Sequence, residues 1–85
     1  MNTIYKYQLE LIGVQTVDMP KNAKVLCARV QNTILYLWAI VNTNEKKVPK
    51  IITIYGTGQP TPDLTHAKYI GTVQDGFYAW HVFEA

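Results

Sequence analysis

The segment Tyr55-Gly56-Thr57-Gly58-Gln59-Pro60 carries the most legible chemistry in this sequence of 85 residues. Glycines directly after a strand let backbone N–H groups approach an anion, and Thr57 adds a hydroxyl donor. That combination would suit a phosphate. A Walker-type loop would run on into Gly-Lys-Ser/Thr and a helix, whereas this one runs into Gln59-Pro60, so a plain turn is the competing reading. Aromatic side chains are the second resource, with 6 Tyr, 2 Trp and 2 Phe. Tyr36, Trp38, Tyr69, Tyr78 and Trp80 fall on strands whose opposite parity can already supply core. Some of these rings must then face outward, where they stack on nucleobases or anchor protein contacts. A bound nucleotide would place its base on Trp38, Tyr69 or Trp80 and its phosphates at Gly56, Thr57 and Gly58, with Tyr55 also at the site. Arg29 would add charge.

Other chemistries are poorly served. The sequence contains no serine, which removes serine-nucleophile hydrolysis. Cys27 lies between Leu26 and Ala28 in an apolar strand, a setting for a structural thiol rather than an activated one. His66 and His81 are the two histidines, and neither sits at a metal-ligand spacing with other donors. Asp63 and Asp75 stand beside Pro62 and Gly76, and Asp18 lies two residues before Pro20, settings in which aspartate most often stabilises a turn. The expectation is a binding protein, not an enzyme, without metal or cofactor.

Composition narrows the partners. Eight basic residues against 6 acidic ones give a formal charge of +2, and Arg29 is the one arginine. Nucleic-acid readers usually show several arginines on one basic face, so no nucleic acid is expected. No run approaches the ~18 apolar residues of a membrane span, and the opening Met1–Lys6 lacks the apolar core of a signal peptide. A cytoplasmic protein is expected. A single cysteine rules out an internal disulfide, and a chain this short buries only about 60% of its unfolded surface. Oligomerisation is the remaining common source of buried area.

The elements that must position these residues follow a period of two. Tyr5, Tyr7, Leu9 and Leu11 alternate with polar residues, which predicts a half-buried strand with the odd positions inward, broken by Gly13. Gln15–Met19 adds a short extended piece before Pro20. Val25–Val30 reads as a strand with Leu26, Ala28 and Val30 on one face. Gln31-Asn32-Thr33 suits a hairpin turn with Asn32 at positive φ. The return strand, Ile34–Val41, is apolar on both parities and needs cover on both faces: the rest of the fold on one, a second subunit on the other. The rival cover is the long irregular stretch Gly56–His66, in which one turn of helix near Asp63 is conceivable. Lys50–Tyr55 is a further strand, and Lys68–Val73 with Gly76–Phe83 form a last hairpin around Asp75-Gly76. One all-β domain over residues 1–85 results: a small antiparallel sandwich or barrel of about six to seven strands.

The sequence also resembles a family of short bacteriophage and prophage proteins known as a domain of unknown function. The resemblance rests on Ile4-Tyr5-Lys6-Tyr7 with Leu9, Met19-Pro20-Lys21 with Ala23-Lys24, Leu37-Trp38-Ala39, Ile54-Tyr55-Gly56-Thr57-Gly58 with Pro60, Tyr69-Ile70-Gly71-Thr72 and His81-Val82-Phe83-Glu84. It brings no catalytic residue with it. It implies a setting in the cytoplasm of an infected bacterium. There, small phage proteins antagonise host defence by sequestering a nucleotide-derived signal, of cyclic dinucleotide or cyclic ADP-ribose type, or by contacting a host defence protein directly. Sequestering proteins of this size are typically oligomers with pockets between subunits.

Overall fold

In the computed structural model, which describes all of residues 1–85, the chain forms seven strands and no helix. They are β1 (Asn2–Leu9), β2 (Val14–Pro20), β3 (Lys24–Gln31), β4 (Ile34–Asn42), β5 (Lys47–Gly56), β6 (Lys68–Asp75) and β7 (Tyr78–Glu84). A three-stranded antiparallel sheet in the order β1-β4-β3 packs on a four-stranded one in the order β2-β5-β7-β6. The architecture is a sandwich. Met19, Leu37, Val41, Ile52 and Val82 are fully buried between the sheets.

Pairing register explains which residues reach that core. Thr3, Tyr5, Tyr7 and Leu9 oppose Val41, Ala39, Leu37 and Leu35 on the inner parity; Leu9 and Tyr7 pack on the core, whereas Tyr5, expected inward, stays exposed on this edge strand. Tyr7 is held neutral to higher pH than an ordinary phenol, first by its burial and then by nearby Tyr5. Leu11 departs from the expected inward face because β1 ends at Leu9, and its side chain is exposed. Leu26 departs too. A β-bulge between Val25 and Cys27 inserts one extra residue, so Val25 and Ala28 point inward while Leu26 is left outside.

The turns are tight. Asn32 and Thr33 both have positive φ, at 51° and 67°, and Gln31 pairs with Ile34, the geometry of a two-residue hairpin of the I′ type. In the last hairpin Asp75 pairs with Tyr78, so the central residues are Gly76 and Phe77, with Gly76 at φ 62°. On one side the sandwich closes where β3 meets β6. A Cβ on Gly71 would lie 3.9 Å from the Ala28 carbonyl oxygen, so the missing side chain lets the two backbones come together. One end is plugged by the Lys50–Glu84 ion pair at 3.1 Å, with Lys50 also donating to the Ala23 carbonyl at 3.4 Å.

Candidate functional site

The eight residues expected at a ligand site divide among three places. Tyr55, Thr57 and Tyr69 lie on the outer side of the four-stranded sheet, with Gly56 and Gly58 in the adjoining turn. Arg29 and Trp38 lie on the outer face of the three-stranded sheet, across the sandwich. Trp80 pairs with Gly56 and Val73 and packs against the core between the sheets. Within one chain, no single pocket gathers them.

The glycine turn is explained by its own hydrogen bonds. Gln59 N–H donates to the Gly56 carbonyl at 3.1 Å, closing a β-turn whose third residue, Gly58, has φ 86°. A positive φ at that position is what a type II turn demands of glycine. Gly56 N–H donates to Gln59 Oε1 at 2.9 Å, and Thr57 N–H to the Ala79 carbonyl at 3.3 Å. Three of the four N–H groups that would cradle a phosphate are therefore already bonded, two within the turn and one to β7, leaving that of Gly58. Gly56 also has a packing reason: a Cβ there would meet Trp80 Cζ3 at 3.1 Å.

Next to this turn runs a line of polar side chains. Thr57 Oγ1 lies 2.8 Å from His81 Nε2, and Thr72 Oγ1 lies 3.0 Å from His81 Nδ1. The Tyr69 hydroxyl is 2.6 Å from the same Thr72 oxygen. A neutral imidazole donates from one ring nitrogen and accepts at the other, so the two threonines complete its bonding in either tautomer. His81 and Thr72 were not among the expected site residues. Counting back from a two-residue turn at Gly76-Phe77 pairs position 72 with position 81, so a legible signal existed in the hairpin.

The same sheet is covered by the segment between β5 and β6. Thr53 and Tyr55 face outward by register, yet both are buried, beneath a pocket of about 280 Å³ that Pro62, Leu64 and His66 help to line. Asp63 Oδ1 accepts from the Thr65 amide and hydroxyl, and these bonds hold its carboxyl below the ordinary range. Leu64–Ala67 is a single β-turn closed by the Ala67 N–H at 3.1 Å, not a turn of helix. The long segment thus shields β5, and the idea that it shields β4 is corrected. Two residues after a strand end on the four-stranded sheet, a chain that must reach that sheet's far edge crosses its own sheet.

The outer face of the three-stranded sheet has no such cover. Ile4 and Ile40 are exposed there, Trp38 and Tyr36 are half-buried, and Leu26 is added by the bulge. The Tyr36 and Trp38 rings stand 6.0 Å apart, and Lys6 Nζ sits 4.3 Å above the Tyr36 ring. Ile4, Leu26, Cys27, Arg29 and Trp38 line a shallow groove of about 360 Å³. Lys6, Lys24 and Arg29 surround it, and no outward position of β1, β3 or β4 is a carboxylate.

Fold and surfaces together define a small antiparallel β-sandwich with one outer face shielded over Thr53 and Tyr55 and one open outer face. The chain belongs to the family described as a domain of unknown function, DUF7352, whose model matches residues 1–85. No curated protein and no solved structure matches it significantly. No helix is long and apolar enough to cross a membrane.

Proposed function

We propose that this protein is a non-catalytic binding domain that docks the open face of its three-stranded sheet onto an acidic protein surface with an apolar centre. The observation that carries this reading is the face itself: Trp38, Tyr36, Ile4, Ile40 and Leu26 framed by Lys6, Lys24 and Arg29, without an anion. Aromatic centres with an arginine at the margin are the composition of binding hot spots. The charge selects the partner. A second copy related by a two-fold axis would set three cations against three cations, whereas an acidic surface pairs with them. The resemblance to short phage proteins would make that partner a bacterial defence effector, and that part of the reading rests on the resemblance alone.

The test is comparative capture from bacterial lysate with the wild-type chain, Trp38→Lys, Arg29→Glu and Tyr69→Ala. An acidic protein held by wild type and Tyr69→Ala, lost with the other two variants and released by salt, is the expected result. Retention by Arg29→Glu would overturn it. So would a dimer in light scattering that salt strengthens and Trp38→Lys abolishes, because the face would then belong to a second copy.

A second reading, sequestration of a nucleotide-derived signal, draws on the exposed Tyr69 ring at the end of the Thr57–His81–Thr72 line. The base would stack on Tyr69, and Thr57 with the Gly58 N–H would meet a phosphate. Isothermal titration against a panel of cyclic dinucleotides and ADP-ribose compounds tests it. Absence of binding at about 10 μM removes it.

A further inference from the structure

On the side of the sandwich away from the β3–β6 closure, each sheet ends in a strand with one unpaired edge, β1 in one sheet and β2 in the other. The ladder bonds say which backbone groups those edges expose. The Met1 carbonyl accepts from the Thr43 N–H at 2.8 Å, so Thr3, Tyr5, Tyr7 and Leu9 turn their backbone groups to β4. The N–H and C=O groups of Asn2, Ile4, Lys6 and Gln8 therefore point out of the sheet, where no strand receives them. On β2 the Gly13 carbonyl accepts from the Ile54 N–H at 3.0 Å, so the outward positions there are Val14, Thr16, Asp18 and Pro20.

The two edges differ in how they resist pairing. Asp18 puts a charge on the β2 edge and Pro20 removes a donor from it, both devices that keep an edge single. The β1 edge has no proline, and its one charge is turned away. Lys6 Nζ lies 4.3 Å above the Tyr36 ring on β4 and donates to Gln31 Oε1 on β3 at 3.3 Å, back across its own sheet. Ile4 and Tyr5, in the middle of the strand, are exposed. The nearest strand of the opposite sheet, β2, approaches β4 more than β1, so β1 stands clear.

We propose that β1 pairs antiparallel with β1 of a second copy about a two-fold axis at Tyr5, joining two three-stranded sheets into one of six. The outward groups require even positions to face even positions, and charge then selects the register. With the axis at Tyr5, Ile4 faces Lys6 of the partner subunit and Asn2 faces Gln8 of the partner subunit, so residues 2–8 are all paired. The two Tyr5 rings meet at a non-hydrogen-bonded pair, where opposing side chains are closest. An axis at Lys6 would set two lysines directly opposite each other, which is destabilising, and an axis at Ile4 would pair only residues 2–6. The axis stands normal to the sheet. The two open faces therefore lie side by side on one surface, their cations not set against each other, and the pairing does not depend on what docks there.

The experiment is light scattering on the intact chain from about 10 μM to about 1 mM, a range that brackets the weak affinity of an edge contact this small. The mass should rise from 9.7 kDa toward twice that value. Amide hydrogen exchange over the same range should slow about fivefold at Ile4 and Lys6 and stay constant at Val14 and Thr16 on the β2 edge. Lys6→Pro, which removes an outward donor and no ladder bond to β4, should stay monomeric, whereas Lys6→Ala, which keeps the donor, should dimerise like wild type. Tyr5→Lys, at an exposed position, should also give a monomer by setting like charges opposite each other. Trp38→Lys, on the open face, should leave the dimer intact. A mass of 9.7 kDa at about 1 mM overturns the proposal. Exchange at Ile4 and Lys6 that ignores concentration does the same, as does a dimer that Trp38→Lys abolishes. If Lys6→Pro fails to fold, Tyr5→Lys and the wild-type exchange rates decide.

Discussion

The two central strands, β4 and β5, pose the same problem and solve it differently. Each is apolar on both parities, and each has its inner face buried against the opposite sheet. On β5 the outer residues Thr53 and Tyr55 are also buried, under the segment between β5 and β6, while Ile51, beyond that cover, is exposed. On β4 the outer residues Tyr36 and Trp38 are half-buried and Ile40 is exposed. The loop that could have served either strand is committed to one by connectivity. It starts at the end of β5 and must cross β7 to deliver β6 to the sheet edge. A chain with 16 buried residues out of 85 has no second segment to spare. The uncovered strand is the one on which the proposed docking face is built.

The largest effect expected from this contrast is at Tyr55. Tyr55→Ala should cost about 3 kcal/mol, the low end for removing a buried aromatic side chain, and lower the Tm by roughly 12–24 °C. The matching change on the other strand, Ile40→Ser, should cost about 1 kcal/mol or less, because its side chain already meets water. Thermal unfolding of the two variants side by side measures the difference. Equal losses would mean that β4 is covered in the folded chain, and the open face would disappear as a site.

A smaller loss is expected at the point where the covered face begins. Gly56→Ala would place a methyl group 3.1 Å from Trp80 Cζ3, tighter than most real contacts, so the indole must give by a few tenths of an ångström. A cost of about 1–2 kcal/mol follows from this overpacking, read from the denaturant midpoint. If instead the variant is neutral, the Trp80 ring moves aside at no cost and is not packed as tightly as its contact with Gly56 implies.

How much of this was legible beforehand depended on range. Local alternation placed β1, β-branched and aromatic runs bounded by turn residues placed the central strands, and the Asn32 and Gly76 turns are visible because positive φ has few takers. Thr33, a β-branched residue at φ 67°, escaped because its propensity argues against that conformation, and only the two-residue loop length forces it. Leu26 alternates with Ala28 and Val30 and so reads as inner, because a bulge has no sequence mark here. The need for cover on both faces of β4 was readable from its composition. What covers which sheet was not, because it depends on the strand order β5-β7-β6, a long-range choice. The candidate site residues scattered for the same reason. Parity says that Trp38 and Tyr69 both face out, but not that they face out from different sheets.

Under the loop, one buried group is worse off than its neighbours. Thr53 Oγ1 is buried without a hydrogen-bond partner, beneath the cover that β4 lacks. Thr53→Val keeps the shape and removes an unsatisfied hydroxyl, so it should stabilise the fold by about 1 kcal/mol. A higher denaturant midpoint with unchanged slope would establish the gain. A loss would show that a water molecule enters the pocket and satisfies the hydroxyl.

The gentlest probe of the cover is acid. Asp63 is fully exposed, and its carboxyl titrates below the ordinary value, first because the Thr65 hydroxyl donates to it and then because the Thr65 amide does. The ionised form is the one these bonds favour, so the folded pKa lies beneath the unfolded one. The contribution to loop order is therefore complete above the unfolded value and is lost as pH falls through the folded value. In an acid titration followed by ¹H–¹⁵N NMR, the Thr65 amide signal should move at a pH below that of an ordinary aspartate, and Ala67, whose N–H closes the neighbouring turn, should follow it. Signals of Ile4, Leu26 and Ile40 on the open face should stay unchanged over that interval, since no carboxylate stands near them. Thr65→Val should raise the midpoint of the Asp63 transition toward the ordinary value. A midpoint that does not respond to Thr65→Val would mean that the turn does not hold the carboxylate, and that the β5 cover is kept in place by Pro62 and Leu64 alone.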